Sequence, residues 1–392
     1  MGDVEVRRIG VVTVGRSDFG LYLPLLRRLG AHRDVALKLF VSGAHLLRTE
    51  GQVARQVEES GYLDYVAVKM LVRADDPTGI GVSMGRGVSA FSRAYYQWRP
   101  DILVVLGDRF EMHAAALAAL PHNIPVAHIH GGEITEGAID DCLRHSITKL
   151  SHLHFASTRQ YARRIRQMGE EHWRVKAVGA IGLDNLGQIR VPDRQELGSR
   201  LNWSLPPEFL LVTYHPVTLE AEWVSVQGRQ LLEALRRSKL PILFTAPNAD
   251  THGRRLSRLI QHYVKANPDC IYVENLGTEN YFAAMAAAAA MVGNSSSGIL
   301  EAASFRLPVV NIGLRQAGRL RPANVIDCGY GVEEIMCALR QARSAEFKRR
   351  IRRCRNPYYA GGAAEHIVNT IRTVPLGRSL IWKKFCDLPG AI

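Results

Sequence analysis

The chain has 392 residues, more than one hydrophobic core usually serves, so two domains are expected. Hydrophobic residues make up 47% and charged residues 22%, which excludes a disordered or collagen-like chain. Lys and Arg total 50 against 37 Asp and Glu, a formal charge of +13 that suits an anionic partner. The longest apolar run, Phe282 to Val292, is too short and too alanine-rich to span a bilayer. The N-terminus has no basic stretch followed by an apolar one, so no secretory signal is read and a cytoplasmic location is expected. The six cysteines form no CxxC pair and no zinc spacing, and they read as reduced packing thiols. The densest basic run, Lys348 to Arg355, has no interleaved aromatic residues to stack on bases, so it reads as a solvated helix face and no nucleic-acid partner is expected.

Along the first half, short β-branched runs alternate with helical patterns. Strands are expected at 9–14, 35–41, 102–106, 126–129 and 154–157. Helices are expected at 21–29, 53–59, 88–98, 111–120 and 140–150. This alternation predicts a parallel doubly wound sheet. A glycine-rich stretch from Gly179 to Pro192 reads as a connection. A second series follows, with strands at 209–214, 241–245, 271–273 and 309–312. Its helices are expected within 219–237, at 252–266 and 280–290, and after Gly298 as far as Phe305. The architecture expected is therefore α/β, with two Rossmann-like domains. Ligands bind such sheets at the carboxyl ends of the strands. Two such domains facing each other would set those loops across one cleft.

The strand ends hold the unusual polar residues. Gly15-Arg16-Ser17-Asp18 follows the first strand, where a glycine allows a tight turn into a helix whose N-terminus attracts anions. Gly107-Asp108-Arg109-Phe110 follows 102–106; Asp108 reads either as a helix cap or as a functional carboxylate. The eighteen residues from His128 to His145 hold three histidines, four carboxylates, three glycines and one arginine. With a helix starting near Asp140, Asp140 faces Arg144 and Asp141 faces His145 one turn apart. His128 and His130 lack a clear third ligand, so a metal is not expected.

In the second series, Tyr214-His215-Pro216-Val217-Thr218 and Thr245-Ala246-Pro247-Asn248 also lie at strand ends. Gly293-Asn294-Ser295-Ser296-Ser297-Gly298, between a strand and a helix, offers small residues, N–H groups and hydroxyls to a diphosphate. Glu301 lies one turn on and could accept ribose hydroxyls. Arg315 and Arg319 sit on a glycine-bearing loop after the last core strand and suit an anion. No Walker A pattern occurs.

These segments together resemble the hydrolysing UDP-N-acetylglucosamine 2-epimerases of sialic and legionaminic acid biosynthesis. The resemblance runs over nearly the whole chain, from Gly15-Arg16-Ser17-Asp18 to Gly318-Arg319. It is carried above all by Leu106 to Phe110, by Thr135-Glu136-Gly137-Ala138-Ile139-Asp140-Asp141 with Arg144 to Lys149, by His215 to Thr218, and by the glycine–serine run. It implies a glycosyltransferase-B fold with domains at 1–180 and 181–369 and a C-terminal segment, 370–392, that packs back on the first. It implies a homo-oligomer, a UDP- or GDP-linked amino sugar as partner, and no metal or redox cofactor. It also implies a mechanism in which a base removes the C2 proton while the nucleoside diphosphate leaves C1. The resulting 2-acetamidoglycal is then hydrated to the C2-inverted free sugar. Asp108, Asp140, Glu133 and His130 are the catalytic candidates. Arg16, Asp18, His45, Arg109, His128, Arg144, His215, Asn248, Ser295, Ser296, Glu301, Arg315 and Arg319 are the binding candidates. One position departs from the pattern His-Ile-Glu-Gly-Gly: here it is His130, and either Glu133 or His130 itself is left to act as base. Imidazole, which titrates near neutrality, is chemically able to do so. A glycosyltransferase of the same fold and an inactive nucleotide-sugar sensor are the competing readings.

Overall fold

The computed structural model describes residues 6–46, 57–58, 60–62, 64–72, 76–136, 139–217, 222–247 and 253–387. The expected helix at 53–59 lies almost wholly outside them. The chain forms two compact units. One comprises Met1–Glu133, Ile139–Gln188 and Tyr358–Ile392, and the other comprises Ile134–Ala138 and Ile189–Pro357. Apart from the short segment Ile134–Ala138, the passages between units fall after Gln188 and before Tyr358, where the sequence suggested 180 and 369.

The first unit holds seven parallel strands: β1 (Arg7–Thr13), β2 (Val35–Ser42), β3 (Tyr65–Val68), β4 (Ile102–Leu106), β5 (Val126–Ile129), β6 (Leu153–Ala156) and β7 (Val175–Ala177). Their order is β3-β2-β1-β4-β5-β6-β7. The second holds six: β8 (Leu210–Thr213), β9 (Ile242–Thr245), β10 (Ile271–Val273), β11 (Ala290–Gly293), β12 (Val309–Ile312) and β13 (Val325–Cys328). Their order, β10-β9-β8-β11-β12-β13, repeats the same winding. The central strands are apolar, Ile-Leu-Val-Val-Leu in β4 and Leu-Leu-Val before Thr213 in β8, because helices cover both faces of a parallel sheet. In each sheet the winding reverses between neighbouring strands, at β1/β4 and at β8/β11, and the loops leaving those strands line a crevice where ligands bind.

Two glycines are required by close approach. Gly293 ends β11 at φ 141°, and a Cβ there would lie 2.0 Å from the Thr213 carbonyl oxygen. Gly132, at φ 74°, would drive a Cβ to 2.5 Å from the Tyr161 carbonyl oxygen. Both lie beside site loops, so the loops owe their paths to the missing side chains.

The end of the chain belongs to the first unit. Helix Ala363–Thr373 puts Ala363, Ala364, Ile367, Val368 and Ile371 into that unit's core. Asp184 accepts bonds from the amides of Ala363 and Ala364 at 3.2 and 2.7 Å, neutralising the positive helix start. Arg174, fully buried, donates to the carbonyls of Ser379, Leu380 and Trp382 at 2.8–3.1 Å. The basic run opens as a helix, Ala345–Ile351, that buries Phe347 and Ile351 and leaves Arg349 and Arg350 exposed. Among the described residues no helix is long and apolar enough to cross a membrane.

Candidate functional site

In the first unit the loop after β1 is organised by Asp18. Its Oδ2 accepts from the Val14 amide at 2.7 Å and the Thr13 hydroxyl at 3.0 Å. Thr13 Oγ1 also bonds His45 Nε2 at 2.9 Å, so the ends of β1 and β2 are tied by one buried network. Burial pushes the Asp18 carboxyl up to about 6, although the Val14 amide, the Arg109 charge and the Thr13 hydroxyl all pull it down. After β4, Arg109 rather than Asp108 occupies the cap position of helix Phe110–Ala119, so the capping reading of Asp108 is removed. Arg109 Nε lies 3.3 Å from Glu111, a carboxylate only 1% exposed. Arg16 opens helix Arg16–Gly30, but its side chain, like Asn248, lies outside the described residues.

The dense segment after β5 resolves into separate parts. Arg144, expected to face Asp140, sends Nη2 to Asp108 Oδ2 and joins two strand-end loops. Asp140 is half-buried in the first turn of helix Ile139–Leu150, and Asp141 approaches His145 at 3.6 Å as the spacing suggested. His128 is wholly buried: Nε2 bonds the Gly107 carbonyl at 2.8 Å and Nδ1 the Thr148 hydroxyl at 3.2 Å. Burial lowers its pKa to about 3, so a neutral ring joins the Asp108 loop to the Arg144 helix. His128 is thereby an internal strut with both nitrogens engaged, not a group presented to a ligand. His130 has the left-handed backbone, φ 65°, and its Nδ1 lies 2.8 Å from Glu133 Oε1. The same oxygen accepts from Ser157, at the end of β6, at 2.7 Å.

In the second unit His215 and Asn294 bracket the β8/β11 crevice. The His215 amide donates to Asn294 Oδ1 at 2.7 Å, and Asn294 Nδ2 donates to the His215 carbonyl at 2.8 Å. Burial, reinforced by the Arg315 charge, lowers the His215 pKa to about 3. Behind them runs a hydroxyl chain. Ser295 meets Ser297 at 2.7 Å, Ser297 meets Tyr281 at 3.0 Å, and Thr213 meets Thr245 at 2.7 Å. Arg315 Nη1 and Gln316 Nε2 both donate to the Asn294 carbonyl, at 3.2 and 2.9 Å, and hold the loop after β12 against the serine loop. Ser296 and Glu301 flank a helix of only four residues, Ser297–Leu300, followed by a 3-10 turn, Ala302–Phe305. So short a helix has a weak macrodipole, and the positive charge on this loop is that of the Arg315 and Arg319 guanidinium groups. Arg319 is half-buried on the same loop.

The sequence reading missed Glu111, Ser157, Tyr281, Thr213 and Gln316. Only Glu111 left a trace, as the residue two past Arg109. The others join the site through pairings that span up to 68 residues and carry no local pattern. Among the described residues no group of three His, Cys, Asp or Glu could hold a metal ion.

Comparison with known proteins identifies the family. The sequence profile of the UDP-N-acetylglucosamine 2-epimerase family matches residues 27–372. The GDP/UDP-N,N'-diacetylbacillosamine 2-epimerase (hydrolyzing) of Campylobacter jejuni is 36% identical, covering 97% of this chain and 99% of its own. The UDP-N,N'-diacetylbacillosamine 2-epimerase (hydrolyzing) of Legionella pneumophila is 34% identical, covering 96% and 99%. The crystal structure of UDP-GlcNAc 2-epimerase from Neisseria meningitidis bound to UDP-GlcNAc superposes with a TM-score of 0.79 at 18% identity, over 93% of this chain and 99% of that one. The fold is thus the glycosyltransferase-B-like pair of parallel-sheet α/β domains. The chain belongs to the UDP-N-acetylglucosamine 2-epimerase family and is an enzyme of its hydrolysing type.

Proposed function

We propose that this enzyme converts a nucleoside-diphosphate 2-acetamido sugar to the C2-inverted free sugar and nucleoside diphosphate. The preferred substrate is a UDP- or GDP-linked 2,4-diacetamido-trideoxy sugar; N,N'-diacetylbacillosamine is named for both hydrolysing relatives, with UDP for both and GDP for that of Campylobacter jejuni. A base takes the C2 proton, the C2–H electron pair becomes the C1=C2 bond, and the C1–O bond to the diphosphate breaks. Water then adds, oxygen to C1 and hydrogen to the opposite face of C2. The observation that carries the reading is the division of chemistry between the two strand-end sets. Asp108 with Arg144, Asp140, and His130 with Glu133 supply acids and bases. Ser295, Ser296, Arg315, Arg319 and His215 supply donors and charge for the departing diphosphate. Glu301 is assigned to the ribose, and Asp18, His45, Arg16 and Arg109 to the substrate at the first crevice.

The test is incubation with UDP- and GDP-linked N,N'-diacetylbacillosamine and with UDP-N-acetylglucosamine in deuterated water, followed by NMR of the released sugar. Inverted sugar carrying deuterium at C2 is expected. Release of sugar that keeps its original C2 hydrogen would mean simple hydrolysis and would remove the reading. The amount released from each donor ranks the substrates.

A further inference from the structure

The segment between β5 and helix Ile139–Leu150 contains an arrangement that none of the relatives' names describes. His130 is nine-tenths buried and takes a left-handed backbone, a conformation that costs a histidine energy and persists only where the surroundings hold it. Its amide donates to the Phe155 carbonyl at 3.0 Å, which pins the strained residue to β6. Its Nδ1 meets Glu133 Oε1 at 2.8 Å, and Ser157 donates to that same oxygen at 2.7 Å. A carboxylate oxygen only accepts, so Nδ1 carries the proton and the ring's lone pair sits on Nε2. Among the described residues, Nε2 is a buried ring nitrogen with no hydrogen-bond partner. A carboxylate that fixes the tautomer of an imidazole, leaving the opposite nitrogen to take a proton, is the arrangement of a general base.

We propose that His130 Nε2 is the base that removes the C2 proton, with Glu133 and Ser157 as positioning residues that hold its tautomer and orientation. The step rests on the epimerase reading above. The C2–H bond breaks, the proton goes to Nε2, its electron pair forms the C1=C2 bond, and the nucleoside diphosphate leaves with the electrons of the C1–O bond. The resulting imidazolium faces the Glu133 carboxylate, which stabilises it. Glu133 Oε1 is already occupied by two donors, and this favours the orienting role over direct attack on C2–H.

The experiment compares His130→Asn, His130→Ala and Glu133→Gln. Asparagine tolerates the left-handed backbone, so His130→Asn removes the base while keeping the loop path. Turnover is expected to fall at least about a hundredfold, with nucleoside diphosphate affinity within about twofold of the parent. The kinetic isotope effect of C2-deuterated substrate should grow, because proton removal becomes slower. Free imidazole should restore part of the activity of His130→Ala. Glu133→Gln should lose turnover too, since an amide N–H facing Nδ1 favours the wrong tautomer. If His130→Asn kept more than about a tenth of parental turnover, or imidazole gave no rescue in a folded, nucleotide-binding His130→Ala, the assignment would be overturned. Deuterium at C2 from the parent enzyme keeps the two questions apart. Its absence removes the epimerase reading, whereas its presence beside an active His130→Asn removes only the role of His130.

Discussion

At the residue scale, the two units ask different things of their charged groups. Arg315 holds the Asn294 carbonyl and lowers the His215 pKa, so its guanidinium charge is felt where an anion would lie. Removing it should weaken nucleoside diphosphate binding by about 1.5–3 kcal/mol, roughly tenfold to a hundredfold or more. Titration calorimetry of Arg315→Ala with UDP and GDP checks this, and unchanged affinity would show that the diphosphate lies elsewhere. Asp108 is held by Arg144. Asp108→Asn keeps an acceptor for Arg144 but removes the charge, and Asp140→Asn removes the other acid of the first unit's edge. Both variants should lose turnover while nucleotide binding stays nearly intact, as measured by parallel kinetics and calorimetry. The acids themselves were legible from the sequence because they cluster beside glycines at strand ends. The Asp108–Arg144 pair was not: helical spacing sets Asp140 facing Arg144, four residues away, but Asp108 comes from 36 residues upstream. Only the parallel stacking of β4 beside β5 brings them together, and no local pattern encodes that.

At the element scale, most strands were readable, and three of the four edge strands were not. β4, β5, β10 and β12 begin and end at the bounds read from the sequence; β4 is wholly apolar, while His128 in β5 and Asn311 in β12 are buried polar residues within otherwise apolar runs. β3, β7 and β13 went unread; each is a sheet edge with half-exposed residues, so their short mixed sequences carry little signal. The reach of helix Pro77–Gln97 was also underestimated, because its first turns carry glycine and exposed residues before the buried Phe91 and Tyr95. Between elements, His128 joins the β4 loop to helix Ile139–Leu150, and His215 seals the end of β8. Both rings are buried neutral, with folded pKa values lowered to about 3 against roughly 6.5 when unfolded. Below pH 6.5 the unfolded chain takes up these protons and the folded one does not. The stability they contribute is therefore full above 6.5 and is lost as pH falls toward 3. By pH 5 each ring should cost about 2 kcal/mol. Thermal midpoints recorded between pH 7.5 and 5 should drop, and His128→Gln should flatten part of that slope while lowering stability at pH 7.5. An equal pH slope in parent and variant would show that His128 is protonated in the fold.

At the scale of the whole molecule, the chain visits the first unit, builds the second, and returns. The repeated strand–helix alternation in the sequence corresponds to two sheets of the same winding. Where the return begins was harder to read, because Tyr358 to Gly362 carries no helical period and its role is to thread beside Gly179, where a Cβ would lie 3.0 Å from Ala360. The returning segment makes a testable distinction between the units. It supplies Ala363, Ala364, Ile367, Val368, Ile371 and Leu380 to the first core, and it accepts the bonds of Arg174. Lys383 donates to the Lys149 and Ser151 carbonyls at 2.8 and 2.7 Å and to Glu170 at 2.9 Å, which anchors the C-terminal end of helix Ile139–Leu150. Ending the chain after Pro357 would expose that core face and leave Arg174 buried without those acceptors. Burying even four such aliphatic side chains is worth roughly 6 kcal/mol or more, comparable with a domain's whole stability. The second unit loses nothing from its own core, whose cluster ends at Ala342 and whose buried Phe347 and Ile351 also precede Pro357. The truncated chain should therefore show the first unit's unfolding transition lost or strongly lowered in calorimetry, with the second unit's transition kept and sugar turnover absent. UDP or GDP should still raise that remaining midpoint, because Ser295, Ser296 and Arg315 are all retained. Loss of both transitions together would show that the second unit cannot fold without the first, and a truncated chain with full turnover would show that the returning segment is dispensable.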